Sequence, residues 1–231
     1  MSFDAKAERE QEGEEESVFP VDDGLFADTF SEERRFCFGG EELRITQLFS
    51  ADLGVAAQVW DSALCLCRYL EQQQCVFSGQ RVIELGSGTG ILGILAARLG
   101  AQVTLTDLPH TLPQLRHNVS ANRPPQGWPG PPPEVRALCW GKDQGQFGQD
   151  WDVVLGADIV YLQDSFPQLL ATLAHLCGGG ATAYLAARMR AEHGAGQFFG
   201  ELLPRIFQVE LLQSHPESNI NMYRARLGRA S

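Results

Sequence analysis

From Arg81 onward, short apolar runs alternate with longer stretches of helical apolar spacing. The run Arg81-Val82-Ile83-Glu84-Leu85 is apolar, partly β-branched and short, the pattern of a strand covered on both faces. It breaks at Gly86-Ser87-Gly88-Thr89-Gly90 and resumes as an apolar helix over Ile91 to Leu99. The same reading places strands near 81–85, 102–106, 135–139, 152–157 and 181–186, with helices near 91–99, 109–121 and 165–177. Alternation of this kind predicts an α/β fold with a doubly wound, mostly parallel sheet. The chain ends differently, with a helix near 195–205, a strand over Phe207 to Leu212, a turn at His215-Pro216-Glu217-Ser218, and a strand over Ile220 to Arg226. Two successive strands joined by a turn predict an antiparallel hairpin at the sheet edge, giving seven strands in all.

Ahead of this core, Arg35 to Phe38 and Glu41 to Gln47 flank Gly39-Gly40, a two-residue hairpin signal. Leu53 to Leu70 carries helical apolar spacing through Val55, Val59, Leu64, Leu66 and Leu70. The domain expectation is therefore a disordered acidic tail over 1–17, an accessory hairpin and helix over 18–80, and a ligand-binding core over 81–231. After the tail, Phe19, Leu25, Phe26 and Phe30 begin an apolar segment able to dock on the core. Pro124 to Pro133 reads as an expanded surface loop or a polyproline ligand.

At 231 residues and 44% hydrophobic content, the chain is long enough for one sizeable core. No run approaches the ~18 apolar residues of a membrane helix, and the acidic start is unlike a signal peptide. The expectation is a cytoplasmic, monomeric protein without membrane contact. The net charge is −11, of which residues 1–23 contribute −7. The remainder is mildly acidic with no basic stripe, which argues against direct nucleic-acid binding. Six cysteines without C-x-x-C or zinc spacing read as reduced thiols, and no metal site is expected.

The candidate chemistry begins at the glycine turn. Closely spaced glycines let the backbone approach a ligand, and the helix that follows turns its free N–H groups toward the same place. A dinucleotide fingerprint of the form G-x-G-x-x-G fails in register from Gly86 and fits only from Gly88, two residues further past the strand. Asp107 falls at the tip of the second strand, 21 residues after Gly86. It reads either as an acceptor for ribose hydroxyls or as a helix cap before Leu108-Pro109. Trp60 and Trp140 read either as core or as flat faces beside a ligand. Ala157 and Asp158-Ile159-Val160-Tyr161 follow the fourth strand, where ligands of open parallel sheets sit. Asp158 reads as a substrate-orienting carboxylate or a turn residue, and Tyr161 as an aromatic wall or as packing.

The spacing Glu84-x-Gly86-x-Gly88-x-Gly90 resembles motif I of class I S-adenosylmethionine-dependent methyltransferases. Together with Trp60-Asp61, Thr106-Asp107-Leu108-Pro109, Trp140-Gly141 and Gly156-Ala157-Asp158-Ile159-Val160-Tyr161, the chain resembles the METTL21-type branch of seven-strand protein-lysine methyltransferases over residues 18–226. That resemblance implies S-adenosylmethionine as cofactor, held by Trp60, Gly86, Ser87, Gly88, Asp107, Trp140 and Ala157. It implies substrate-amine roles for Asp158 and Tyr161. It also implies a protein substrate, translation elongation factor one-alpha, with chaperones or other ATPases as alternatives within the branch. Outside it, an NAD-type oxidoreductase and a catalytically silent binding module stay open.

Overall fold

A computed structural model describes residues 30–72 and 78–228. The expected acidic tail, the apolar segment from Phe19 to Phe26, and Cys75 lie outside the described residues. β1 (Phe30–Phe38) and β2 (Glu41–Phe49) form the antiparallel hairpin that Gly39-Gly40 announces, with Phe38 facing Glu41 across the turn. Both glycines have positive φ, +58° and +82°, the left-handed pair that a two-residue hairpin turn needs.

The helix expected from Leu53 starts later. Gly54–Ala57 is a single 3₁₀ turn, Gln58 is extended, and α1 spans Asp61–Gln72. Gly54 sits at φ +49° and the Trp60 indole N–H closes back on the Val55 carbonyl at 2.9 Å, so the chain loops before it can wind. Val55, expected on an apolar helix face, is half exposed.

Then come β3 (Arg81–Leu85), α2 (Ile91–Arg98), β4 (Gln102–Asp107), α3 (Leu112–Ala121), β5 (Glu134–Ala137), β6 (Val153–Ala157), α4 (Phe166–Leu176) and β7 (Thr182–Arg188). The chain closes with α5 (Ala195–Gln197), which widens into a π-helical turn over Phe198–Leu202, and with β8 (Phe207–His215) and β9 (Ile220–Leu227). α3 begins three residues later than expected because Pro109–Thr111 forms a separate 3₁₀ turn. β5 stops at Ala137 rather than Cys139, whose N–H turns to the Asp143 carboxylate at 3.0 Å.

The seven-stranded sheet runs β5-β4-β3-β6-β7-β9-β8, parallel from β5 to β7, with β9 antiparallel to both neighbours. Alternate strand residues feed two cores. Val82, Val103, Leu105 and Leu155 pack under α1, α2 and α3, while Ile83, Leu85, Val154 and Leu185 face α4 and the π-helical turn. From β3 the chain goes to β4 on one side and later returns to β6 on the other. Such a switch point opens a crevice at the carboxyl ends of the strands.

The hairpin is fastened to this core by amides. Gln114 and Asn118 on α3 and Asn122 at its C-cap lie four residues apart, and Leu48, Thr46 and Arg44 lie two apart on β2. One helical step of four residues rises ~6 Å and two strand residues span ~6.6 Å, so the two rows stay in register. The Leu48, Thr46 and Arg44 N–H groups donate to Gln114 Oε1, Asn118 Oδ1 and Asn122 Oδ1 at 2.6, 2.9 and 2.9 Å. Asn118 and Asn122 donate back to the Thr46 and Arg44 carbonyls. The helix thus serves β2 as a second strand would. All three amides are buried, so each unmade bond would leave a desolvated group.

Candidate active site

At the switch point lies a cavity of about 520 Å³. Its walls include Trp60, Glu84, Gly86, Ser87, Gly88, Asp107, Trp140, Ala157, Asp158 and Tyr161, so every residue singled out from the sequence reaches one space. Cavities of this size suit an organic cofactor.

The glycine turn is shaped by what surrounds it. Gly86 stands at φ +60°, and a Cβ there would meet the Ile159 side chain at 2.8 Å and the Trp140 ring at 3.4 Å. A Cβ on Gly88, at φ +53°, would come 3.4 Å from the Ala56 carbonyl. Both positions favour glycine for their left-handed conformation, and Gly86 needs it for space as well. The Ser87 hydroxyl accepts the Thr106 N–H at 3.1 Å, and its own N–H donates to the Thr106 carbonyl at 2.9 Å. Its side chain holds the turn against β4 and leaves the backbone to face the cavity.

Two carboxylates brace this end. Glu84 is 3% exposed, and its Oε2 accepts the Gly93 N–H at 3.0 Å. Gly93 lies in the first turn of α2, whose cap residue, Gly90, offers no side chain, so the strand supplies the acceptor the helix start lacks. Burial pushes the Glu84 carboxyl up to about 8, with the nearby Asp107 charge adding to it and the Gly93 bond opposing. Asp107 accepts the Gly88 N–H and the Leu108 N–H, one on each oxygen, both at 2.7 Å. Burial raises its pKa against those bonds. Neither the Pro109–Thr111 turn nor α3 has a side-chain cap, so the helix-cap reading of Asp107 fails. What Asp107 braces is the glycine turn.

The opposite end is made of loops. Asp158 has a left-handed backbone at φ +53°, rare for a residue with a side chain and a frequent mark of functional positions. Its N–H donates to the Ala186 carbonyl and its Oδ1 accepts the Arg188 N–H, each at 2.8 Å, which carries the β6–β7 ladder one step past the strand end. Tyr161 is half-buried, and burial together with the Asp107 charge raises its pKa. Trp60 is half-buried and outside both cores, with the Arg190 guanidinium 5.3 Å above its ring. Trp140 packs partly on the α4 side and presents its remaining face to the cavity.

Sequence reading missed several walls. Glu84 was legible as the first residue of the glycine motif. Ala56 lies in the stretch expected to be helical, Arg190 and His193 lie past β7 in a segment with no periodic pattern, and only the fold brings them to the cavity.

A family model for lysine methyltransferases matches residues 38–204. The chain belongs to the lysine methyltransferase family. Within it, mouse "EEF1A lysine methyltransferase 3" is 56% identical over 222 residues, covering 96% of this chain and 94% of that protein. The Xenopus tropicalis protein of the same name is 54% identical, covering 87% and 88%. Mouse "Protein N-lysine methyltransferase METTL21A" is 42% identical, covering 83% and 86%. Among solved structures, the Thermus thermophilus 16S rRNA N2 methyltransferase RsmC, in complex with AdoMet and guanosine, aligns at a TM-score of 0.59 and 17% identity over 86% of this chain and 51% of that one. A TehB-like SAM-dependent methyltransferase from Corynebacterium glutamicum aligns at 0.56 and 14% identity, over 74% and 89%. These two share the fold. Family membership removes the oxidoreductase reading, and the β8–β9 hairpin that closes the sheet agrees with the methyltransferase architecture. No described helix is long and apolar enough to cross a membrane.

Proposed function

We propose that this protein is an S-adenosylmethionine-dependent lysine methyltransferase acting in the cytoplasm on translation elongation factor one-alpha. The observation that carries the substrate is near full-length identity, 56%, with a mouse protein named for that activity. The sequence carries no basic stripe that would favour a nucleic-acid substrate.

The cavity fits the cofactor on its own terms. Two glycines keep its floor free of side chains, and two carboxylates, buried Glu84 and half-buried Asp107, line the same end. Each Asp107 oxygen that accepts a backbone N–H keeps a lone pair for a further donor, which suits the two hydroxyls of a ribose. Glu84 and the turn would receive the charged amino acid end, with the backbone of Gly86, Ser87 and Gly88 facing it. Trp140, Trp60 and Ala157 would flank the rest. When bound, S-adenosylmethionine supplies a methyl carbon activated by a sulfonium.

Transfer to nitrogen is an in-line displacement, so the protein's main task is alignment. A lysine, with an ordinary pKa of ~10.4, must first lose a proton. Asp158, fixed through Arg188, accepts an N–H of the incoming amine, and the Tyr161 ring offers a face for the cation that forms.

Labelled methyl from S-adenosylmethionine, added to a proteome extract with the protein or with Asp158→Ala, tests this reading. One band at the mass of the elongation factor, absent with the variant, is expected. Label in a different protein would move the substrate. No label, with cofactor still bound, would favour a silent binding module.

A further inference from the structure

A second cavity, of about 330 Å³, opens between α1 and the turn that joins β8 to β9. Its lining is apolar through Leu64, Tyr69 and Ile220 and polar through Arg68, Gln213 and His215. The turn stands at the same end of the sheet as the glycine-turn cavity, because Ile220 pairs with Arg188, the last residue of β7. The two cavities meet at consecutive residues, with Trp60 lining the first and Asp61 the second.

The end of β7 ties both walls of this groove in place. The Arg188 guanidinium pairs with Asp61 while its N–H donates to Asp158 Oδ1. The Met189 N–H donates to the Asn219 carbonyl at 2.7 Å, and the Asn219 amide donates back to the Met189 carbonyl at 2.9 Å. The groove is therefore built on the same strand end that holds Asp158. Its charges do not balance. Asp61, the acid among its walls, is already paired with Arg188. Arg68 is exposed and makes no ion pair or hydrogen bond among the described residues. Glu71 and Glu210 on the neighbouring elements are taken up by the Gly39 N–H and by Arg224, and Glu217 of the turn is not a wall of the groove. A guanidinium is left unopposed.

Asp61 and Arg68 are seven residues apart on α1, two turns along one face, or ~10 Å. In an extended peptide, the side chains two and four residues from a given one point the same way and stand ~7 and ~13 Å along the chain, which brackets that distance. We propose that the segment of the substrate protein beside its target lysine lies in this groove, and that Arg68 receives a carboxylate about two to four residues from the lysine. The assignment rests on the lysine methyltransferase reading above. A guanidinium fork matches a carboxylate with two parallel bonds, so the seat favours an acidic segment and repels a basic one. Leu64 and Tyr69 supply apolar surface for the intervening residues. The cofactor cavity alone would accept any lysine that reaches Asp158, and the groove adds the selection by neighbouring sequence.

The test measures methyl transfer to purified elongation factor one-alpha by Arg68→Glu, Arg68→Gln and Arg123→Glu at saturating cofactor. Arg123 is exposed, lies beyond α3 and lines neither cavity, so its reversal controls for net charge. Arg68→Glu should raise KM for the protein substrate about tenfold or more, because like charges then face each other. Its kcat, and its cofactor affinity by calorimetry, should stay at wild-type values. Arg68→Gln should raise KM less and Arg123→Glu hardly at all. Added salt should raise KM more for wild type than for Arg68→Gln. Changing each acidic residue near the modified lysine to Lys, one at a time, should yield one substrate variant that Arg68→Glu binds better than wild type does. Should wild type label a different protein of an extract, the substrate reading alone fails and that protein enters the same series. No labelled protein at all would overturn both. Equal KM for Arg68→Glu and Arg123→Glu, a loss confined to kcat, or the lack of any rescuing substrate variant would overturn the docking site and leave the methyltransferase reading intact.

Discussion

At the glycine end of the cavity, Glu84 and Asp107 are bonded to backbone N–H groups of α2, the turn and the chain leaving β4. At the other end, Asp158, itself left-handed, accepts one backbone N–H, and Tyr161, Arg190 and His193 stand on the segments that follow β6 and β7. The first end is a rigid socket built from consecutive βαβ elements. The second is assembled from segments that only the sheet order brings together. Binding a cofactor common to many enzymes calls for a fixed backbone shape, whereas reading one lysine calls for side chains on replaceable loops.

The sharpest way to break this contrast is at Asp158. Asp158→Ala should lower turnover about 10²- to 10⁴-fold, the range for a positioned proton-handling or orienting group, while cofactor affinity by calorimetry stays at the wild-type value. Loss of both would make Asp158 a structural turn residue.

Next in size is Asn118, which ties the glycine turn to the hairpin. It bonds the Thr46 N–H, the Thr46 carbonyl and the Thr89 carbonyl of the glycine turn. Asn118→Ala strands three buried groups, and chemical denaturation should show a loss of about 3 kcal/mol. An effect under about 0.5 kcal/mol would mean the hairpin is dispensable to the fold.

Asp107→Ala addresses the socket alone. Cofactor affinity should fall by about 1–3 kcal/mol, or roughly 5- to 150-fold, and kcat at saturating cofactor should change little. Affinity left intact would remove Asp107 from the site.

The effect that is smallest per step concerns pH, at no more than about 1.4 kcal/mol for each pH unit. Burial raises the Glu84 carboxyl to about 8 in the fold, against its ordinary 4.5 when unfolded. Between those values the folded protein holds a proton that the unfolded chain has lost. Stability of the cofactor-free protein should therefore be full below about 4.5 and decline as pH rises toward 8, by about 1.4 kcal/mol per pH unit for one proton at most. Glu84→Gln keeps an acceptor for Gly93 and should flatten that slope in denaturation curves taken at pH 5, 6, 7 and 8. An unchanged slope would place the proton elsewhere.

Where local pattern and tertiary role coincide, the sequence was readable. Arg81 to Gly90 announces a buried strand, a tight turn and a helix because each needs residue types that nothing else explains. Leu53 to Trp60 misled, since its apolar spacing is helical while the bonds that stop a helix there, above all Trp60 to Val55, form only on folding. Gln114, Asn118 and Asn122 look like a solvated helix face, and their burial depends on a strand 70 residues away. His193 carries no signal in the chain. Only the fold brings it to the cavity wall.

The central claim is that one cavity holds two energetically separate halves. The most direct measurement is a double-mutant cycle at Asp107 and Asp158, reading cofactor affinity by calorimetry and methyl transfer by single turnover at saturating cofactor. The account predicts that Asp158→Ala binds cofactor as wild type does, that the double variant binds as Asp107→Ala does, and that only variants lacking Asp158 lose transfer. A further drop in affinity when Asp158 is removed, by tenfold or more, would contradict it.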